Sequence, residues 1–228
     1  MRNKVNFCEN EQSVQPPLEK VFRIGNKVYF QDNIYLDSVE KFIRVSNEIL
    51  EFNPYVFNVV MNSYGGSVFE MFRMIDFCEN YIFPNSQIAI STVEGVAASA
   101  AAILSTFFPI RFMSKRSTLM FHELNTDFFG NYSEVKAWGE SLDNSVEEVL
   151  NILEVNSFQD KRFWEETLRK NKWFTAFEAK EIGIIDGIIG IDDIDAVAQE
   201  KLTRLMNEAV EPEPENEEIN EEVLDLNE

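Results

Sequence analysis

The chain has 228 residues, 45% of them hydrophobic and 13% aromatic, and a formal net charge of −20 at neutral pH. That length can bury one sizeable core. The charge argues against a nucleic-acid partner, because phosphate binding needs basic patches. With only Cys8 and Cys78, a disulfide framework is not expected and a reducing compartment fits. No apolar run is long enough to span a bilayer, and residues 1–20 lack the apolar core of a signal peptide. A cytoplasmic protein with no membrane association is expected.

Residues 1–20 have no clear period, contain Pro16-Pro17, and read as an N-terminal arm. Residues 27–30 alternate as a strand does. Over 36–52 the apolar positions Val39, Phe42, Ile43, Ile49 and Leu50 follow helical spacing. A mostly apolar strand over 55–61, a helix over 68–82 and a strand over 87–93 follow. Residues 97–106 hold almost nothing but small and aliphatic side chains and predict a buried helix. Short strands are expected at 109–113 and 118–121. Strands alternating with helices predict an α/β fold with a mainly parallel sheet. Residues 125–131 read as a loop with some strand character. A long helix over 133–156 carries Val135, Trp138, Leu142, Val146, Val149, Leu150 and Leu153 on one stripe. Helices over 159–170 and 175–181 and an apolar strand over 183–189 close the main domain, taken as 21–190. A helical extension is expected at 191–210. Residues 211–228 hold nine acidic residues and two prolines, and read as a disordered acidic tail.

Three stretches carry possible chemistry. Ser99 is a lone hydroxyl among alanines, just after Gly95-Val96-Ala97-Ala98. A serine in the first turn of a helix sits beside main-chain N–H groups that lack helical partners. That suits a nucleophile whose attack creates an oxyanion. Asn62-Ser63-Tyr64-Gly65-Gly66-Ser67 lies between a strand and a helix, where paired glycines let N–H groups point at a carbonyl. His122, the chain's single histidine, ends the strand Leu119–Phe121 and is the side-chain type suited to proton transfer near neutrality.

Taken in order, Asn62–Ser67, Gly95–Ser99 and Met120–His122 resemble the motifs of the proteolytic subunit of the Clp protease, within the ClpP/crotonase superfamily. From Gly66 to Ser99 is 33 residues and from Ser99 to His122 is 23. Phe174–Ala179 and Gly183–Asp186 resemble that family's closing segment, so the likeness runs from about 27 to 189. The resemblance implies repeated β-β-α units and a strand-plus-helix handle at about 123–156. It implies a serine endopeptidase that cleaves unfolded polypeptide inside heptameric rings of identical subunits, served by an AAA+ unfoldase. It assigns Ser99 as nucleophile, His122 as base, the N–H groups of Gly66 and Ala100 as oxyanion donors, and Gly65 and Ser67 as substrate contacts. No cofactor or metal is implied. Where the family commonly has aspartate as third catalytic member, this chain has Asn171, which can accept a hydrogen bond from the imidazole but brings no charge. The side chain of Glu123 should face away, being one residue along a strand. The alternatives are a non-catalytic ring component, a phage head maturation protease of the same fold, a Ser-Lys peptidase using Lys115, and a crotonase-type acyl-CoA enzyme.

Overall fold

The computed structural model describes residues 19–208. The expected N-terminal arm and acidic tail fall almost wholly outside them. The described residues form an eight-stranded sheet whose main path runs β1 (Val21–Ile24), β2 (Lys27–Phe30), β3 (Val56–Ser63), β4 (Ile88–Ala98), β5 (Ile110–Ser114) and β8 (Gly187–Ile189). From β2 to β8 every pairing on this path is parallel, and β1 adds an antiparallel edge. The mainly parallel α/β architecture expected from the alternating elements is what forms.

Parallel strands need crossovers, and these are helical. Helix α1 (Leu36–Leu50) joins β2 to β3, and α2 (Val68–Phe77) joins β3 to β4. Helix α2 continues as a π turn (Cys78–Ile82), closed by Phe83 N–H donating to Cys78 O at 2.8 Å. This widening splits the single helix expected over 68–82. Helix α3 (Ala100–Phe107) joins β4 to β5 and is buried on nearly every side, as its composition requires. The core gathers Phe30, Phe42, Phe57, Met71, Met74 and Leu104, all at or near zero exposure.

A second, shorter path leaves β4. The strand pairs with β5 as far as Val93 and then with β6 (Thr118–Phe121) from Val96. Gly95, at φ 91°, sits at the switch. Buried Ser117 holds the switch together: its hydroxyl donates to Val93 O at 3.0 Å and accepts from Gly95 N–H at 2.8 Å. Strand β7 (Lys172–Thr175) then pairs antiparallel with β6. On β5 the buried Arg111 pairs with the part-buried Asp186, which also meets Lys201 at 3.2 Å, and Arg111 donates to the carbonyls of Thr106 and Asn156. Removing Asp186 would leave the Arg111 charge buried without its counter-ion, a change that typically costs about 3–5 kcal/mol.

Four expectations need correction. Ala97 and Ala98 are strand rather than helix, because pairing with Leu119 and Met120 outweighs alanine's helical preference. The loop expected over 125–131 forms, but residues 122–131 have no ladder pairing among the described residues, so the strand implied for the handle is missing. Residues 184–186 turn before β8, so the closing strand is three residues long. Strands β1 and β7 add to the expected set. Helix α4 (Tyr132–Val155) matches the long helix, but its stripe serves two purposes. Val149, Leu150 and Leu153 pack into the core, whereas the half before Ser145 stands largely exposed. After α5 (Lys161–Arg169) and α6 (Ala176–Glu181), α7 (Ile194–Glu208) packs against β8 and β5 without a fully buried residue. No helix among the described residues is long and apolar enough to cross a membrane.

Candidate active site

In open parallel sheets, ligands bind beyond the carboxyl ends of the strands. Here three neighbouring strands end together. Strand β3 delivers Tyr64-Gly65-Gly66-Ser67, β4 delivers Ser99, and β6 delivers His122. All of these residues and Ala100 line one cleft of about 520 Å³.

Ser99 has φ 56° and ψ −130°, a corner of backbone space dominated by glycine. For a residue with a side chain this conformation costs on the order of 1–3 kcal/mol and persists only where its surroundings impose it. They do so from both sides. Ser99 N–H donates to Met120 O at 2.8 Å, continuing the β4–β6 ladder. Ser99 O accepts from Ala102 N–H at 2.9 Å and opens α3. The serine is therefore the pivot between strand and helix rather than a member of the helix's first turn. A sharp strand-to-helix pivot exposes a hydroxyl at the top of a sheet.

Gly65 explains how the glycine loop reaches this pivot. A Cβ on Gly65 would lie 2.5 Å from Ala98 O, 2.8 Å from Ser99 Cβ and 3.0 Å from Ala100 N, at φ 89°. Only glycine permits that approach. Gly66 is bridged to Ile34: Ile34 N–H donates to Gly65 O and Ser67 N–H donates to Ile34 O, both at 2.8 Å. In a parallel bridge those bonds belong to the residues flanking Gly66, so its own N–H turns away from Ile34. Ala100 N–H is the first of α3 and has no acceptor within the helix. Ser67 lines the cleft, but its hydroxyl accepts from Glu70 N–H at 3.3 Å as the cap of α2.

His122 is half-buried. Its Nδ1 lies 2.5 Å from Glu123 O. No hydrogen bond joins His122 to Ser99 among the described residues; such pairs often close only when substrate arrives. Asn171 does not meet its expected place. It is exposed, is absent from the cleft lining, and shares no hydrogen bond with His122 among the described residues. Its backbone is left-handed at φ 50°, and its N–H donates to Leu168 O just past the end of α5. Asparagine at that position is a recognised helix stop.

The sequence did not reveal the apolar wall of the cleft. Trp138 of α4 stacks on Phe128 with centroids 5.0 Å apart, packs on Phe69 at 5.5 Å, and donates from Nε1 to Thr126 Oγ1 at 2.9 Å. Trp138 was legible as part of the α4 stripe, yet nothing in that spacing told which part would face the cleft. Asn62 was also legible only as part of the loop. Its Oδ1 accepts from Val96 N–H at 3.3 Å and braces the Gly95 switch from β3.

The fold and cleft define an α/β protein with a serine on a strained strand-to-helix pivot and a histidine on the adjoining strand end, in a cleft that Gly66 and Ala100 also line. The family model described as Clp protease matches residues 49–192. The ATP-dependent Clp protease proteolytic subunit 1 of Chlamydia abortus is 25% identical over 191 residues, covering 79% of this chain and 95% of that protein. The subunit of the same name from Chlamydia caviae is 27% identical over 146 residues, covering 62% and 73%. The proteolytic subunit 3 of Rhodococcus jostii is 28% identical over 131 residues, covering 57% and 63%. The chain belongs to the Clp protease family.

Proposed function

We propose that this protein is a serine-type endopeptidase, with Ser99 as nucleophile and His122 as general base. The observation that carries the reading is the backbone of Ser99, held at φ 56° and ψ −130° on the floor of the cleft. Structures keep such strain where it serves a purpose. Ser99 Oγ attacks the scissile carbonyl while His122 takes its proton and later gives it to the leaving amine. The N–H groups of Gly66 and Ala100 receive the developing oxyanion; one such donor is typically worth about 3–4 kcal/mol. Substrate enters as extended, unfolded polypeptide, with apolar side chains against Phe69 and Trp138.

Family membership supports assembly into rings of identical subunits that enclose the cleft, fed by an AAA+ unfoldase when the substrate is folded. The exposed half of α4, with Tyr132 at 83% and Val135 at 46% exposure, is suited to contact a second subunit. Light scattering on purified protein should give a ring-sized oligomer; a monomer at micromolar concentration contradicts that part. The test of activity is hydrolysis of short fluorogenic peptides and of an unfolded protein such as casein. The wild type should cleave both, and His122→Ala should lose activity by about 10³-fold or more.

A second reading, a non-catalytic ring component, draws on the neutral Asn171 standing where the resembled family has an acid. A ring that assembles yet hydrolyses neither substrate would establish it.

A further inference from the structure

We infer, on the reading of Ser99 and His122 given above, that the main-chain carbonyl of Glu123 orients the catalytic imidazole, and that Asn171 is a helix stop with no part in the reaction. His122 Nδ1 lies 2.5 Å from Glu123 O. A main-chain carbonyl has lone pairs and no proton, so it can only accept. The contact is a hydrogen bond only when Nδ1 carries the hydrogen. In the neutral ring that leaves the lone pair on Nε2, the nitrogen that a general base must present to the serine.

The segment that supplies the carbonyl is held at both ends. Before it, Phe121 is fully buried, pairs with Lys172 across β6 and β7, and packs edge-on to Phe174. After it, Leu124 packs against the core. The Glu123 side chain reaches outward to Arg169 at 3.7 Å, an exposed pair that contributes little on its own. The carbonyl thus stays beside the ring whatever the carboxylate does.

Asn171 is accounted for without chemistry. Lys170 N–H donates to Thr167 O at 3.1 Å and Asn171 N–H to Leu168 O at 3.3 Å, closing the last turn of α5. The residue after such a turn adopts a left-handed backbone, and asparagine is the side-chain-bearing residue most at ease there.

In acylation the Ser99 proton passes to Nε2 as the Oγ–C bond forms. The imidazolium then carries two N–H groups, with Nδ1–H still donated to Glu123 O. It releases the Nε2 proton to the amine nitrogen as the C–N bond breaks. Water repeats the sequence on the acyl ester, which yields the free acid and restores the serine. A carbonyl dipole fixes the ring's tautomer but stabilises the imidazolium less than a carboxylate would.

Because His122 is the only histidine in the chain, its nitrogen signals need no assignment. Long-range ¹H–¹⁵N spectra of the full-length protein, taken at a pH where the ring is neutral, should show a protonated Nδ1 and a bare Nε2. An Nε2–H or mixed tautomer overturns the inference. Asn171→Gly should keep the same tautomer, and kcat/KM and its pH profile should stay within about twofold of wild type. A tenfold or larger loss, or a shifted profile, in a variant of unchanged melting temperature would return Asn171 to the site. The tautomer is read on the resting protein. An inactive protein with the Nδ1–H form would therefore refute the endopeptidase reading and leave the orientation of the ring standing.

Discussion

Ser99 and Asn171 both hold a left-handed backbone, at φ 56° and φ 50°, and the two regions around them treat it oppositely. At Asn171 the residue suits the conformation: asparagine follows the last turn of α5, its N–H closes that turn, and its side chain faces solvent. At Ser99 the residue opposes it. Serine gains nothing from that corner of backbone space, and glycine would fit at no cost. A ladder bond to Met120, the first turn of α3 and the glycine loop pressed against its Cβ hold it there. Relaxed geometry at a helix end is ordinary architecture. Imposed geometry at a strand end, in a cleft shared with a histidine, is what motivates reading Ser99 as a nucleophile.

Replacing each residue with glycine sharpens the contrast most. Ser99→Gly removes the hydroxyl and relieves the strain together. Hydrolysis should fall by about 10³-fold or more, while thermal stability holds or rises, by on the order of 1 kcal/mol. A clear loss of stability in Ser99→Gly would mean that the backbone is not strained. Next in size is Gly65→Ala. The new methyl would press on Ala98 O and Ser99 Cβ at 2.5 and 2.8 Å. It should cost about 2–3 kcal/mol, by chemical denaturation, and should lower kcat as the pivot shifts. An unchanged kcat would show that the glycine loop does not set the position of Ser99. The smallest effects belong to Asn171. Asn171→Ala should cost about 1 kcal/mol, because alanine resists φ 50°, and Asn171→Gly should be within a few tenths of neutral. Equal destabilisation by both would break the view that this residue serves its backbone.

The contrast also shows what a linear reading can reach. The parallel sheet, α1, α4 and the order of the three motifs were legible, because hydrophobic period and glycine position are local signals. The pivot at Ser99 was half legible. Alanine's helical preference placed Ala97 and Ala98 in α3, whereas pairing with β6, over twenty residues away, keeps them in β4. That pairing depends on Ser117 and Gly95 meeting at the switch, and neither residue announces it alone. The loop over 122–131 has residues of strand character but no strand to pair with among the described residues. Asn171 carries two competing local signals. Its neighbours match a closing segment in the resembled family, and the match suggested a catalytic partner. The other signal is asparagine directly after an amphipathic helix ending in Arg169-Lys170, a recognised stop. The orienting carbonyl of Glu123 could not have been found at all, since every residue has one.

Fluorophosphonate labelling asks whether Ser99 is a nucleophile activated where it stands. Full-length protein treated with the reagent and digested for mass spectrometry should carry one phosphonyl adduct, on Ser99. His122→Ala should slow its formation sharply, and Ser99→Gly should abolish it. An adduct on another residue, or none on a correctly assembled protein, would contradict the account.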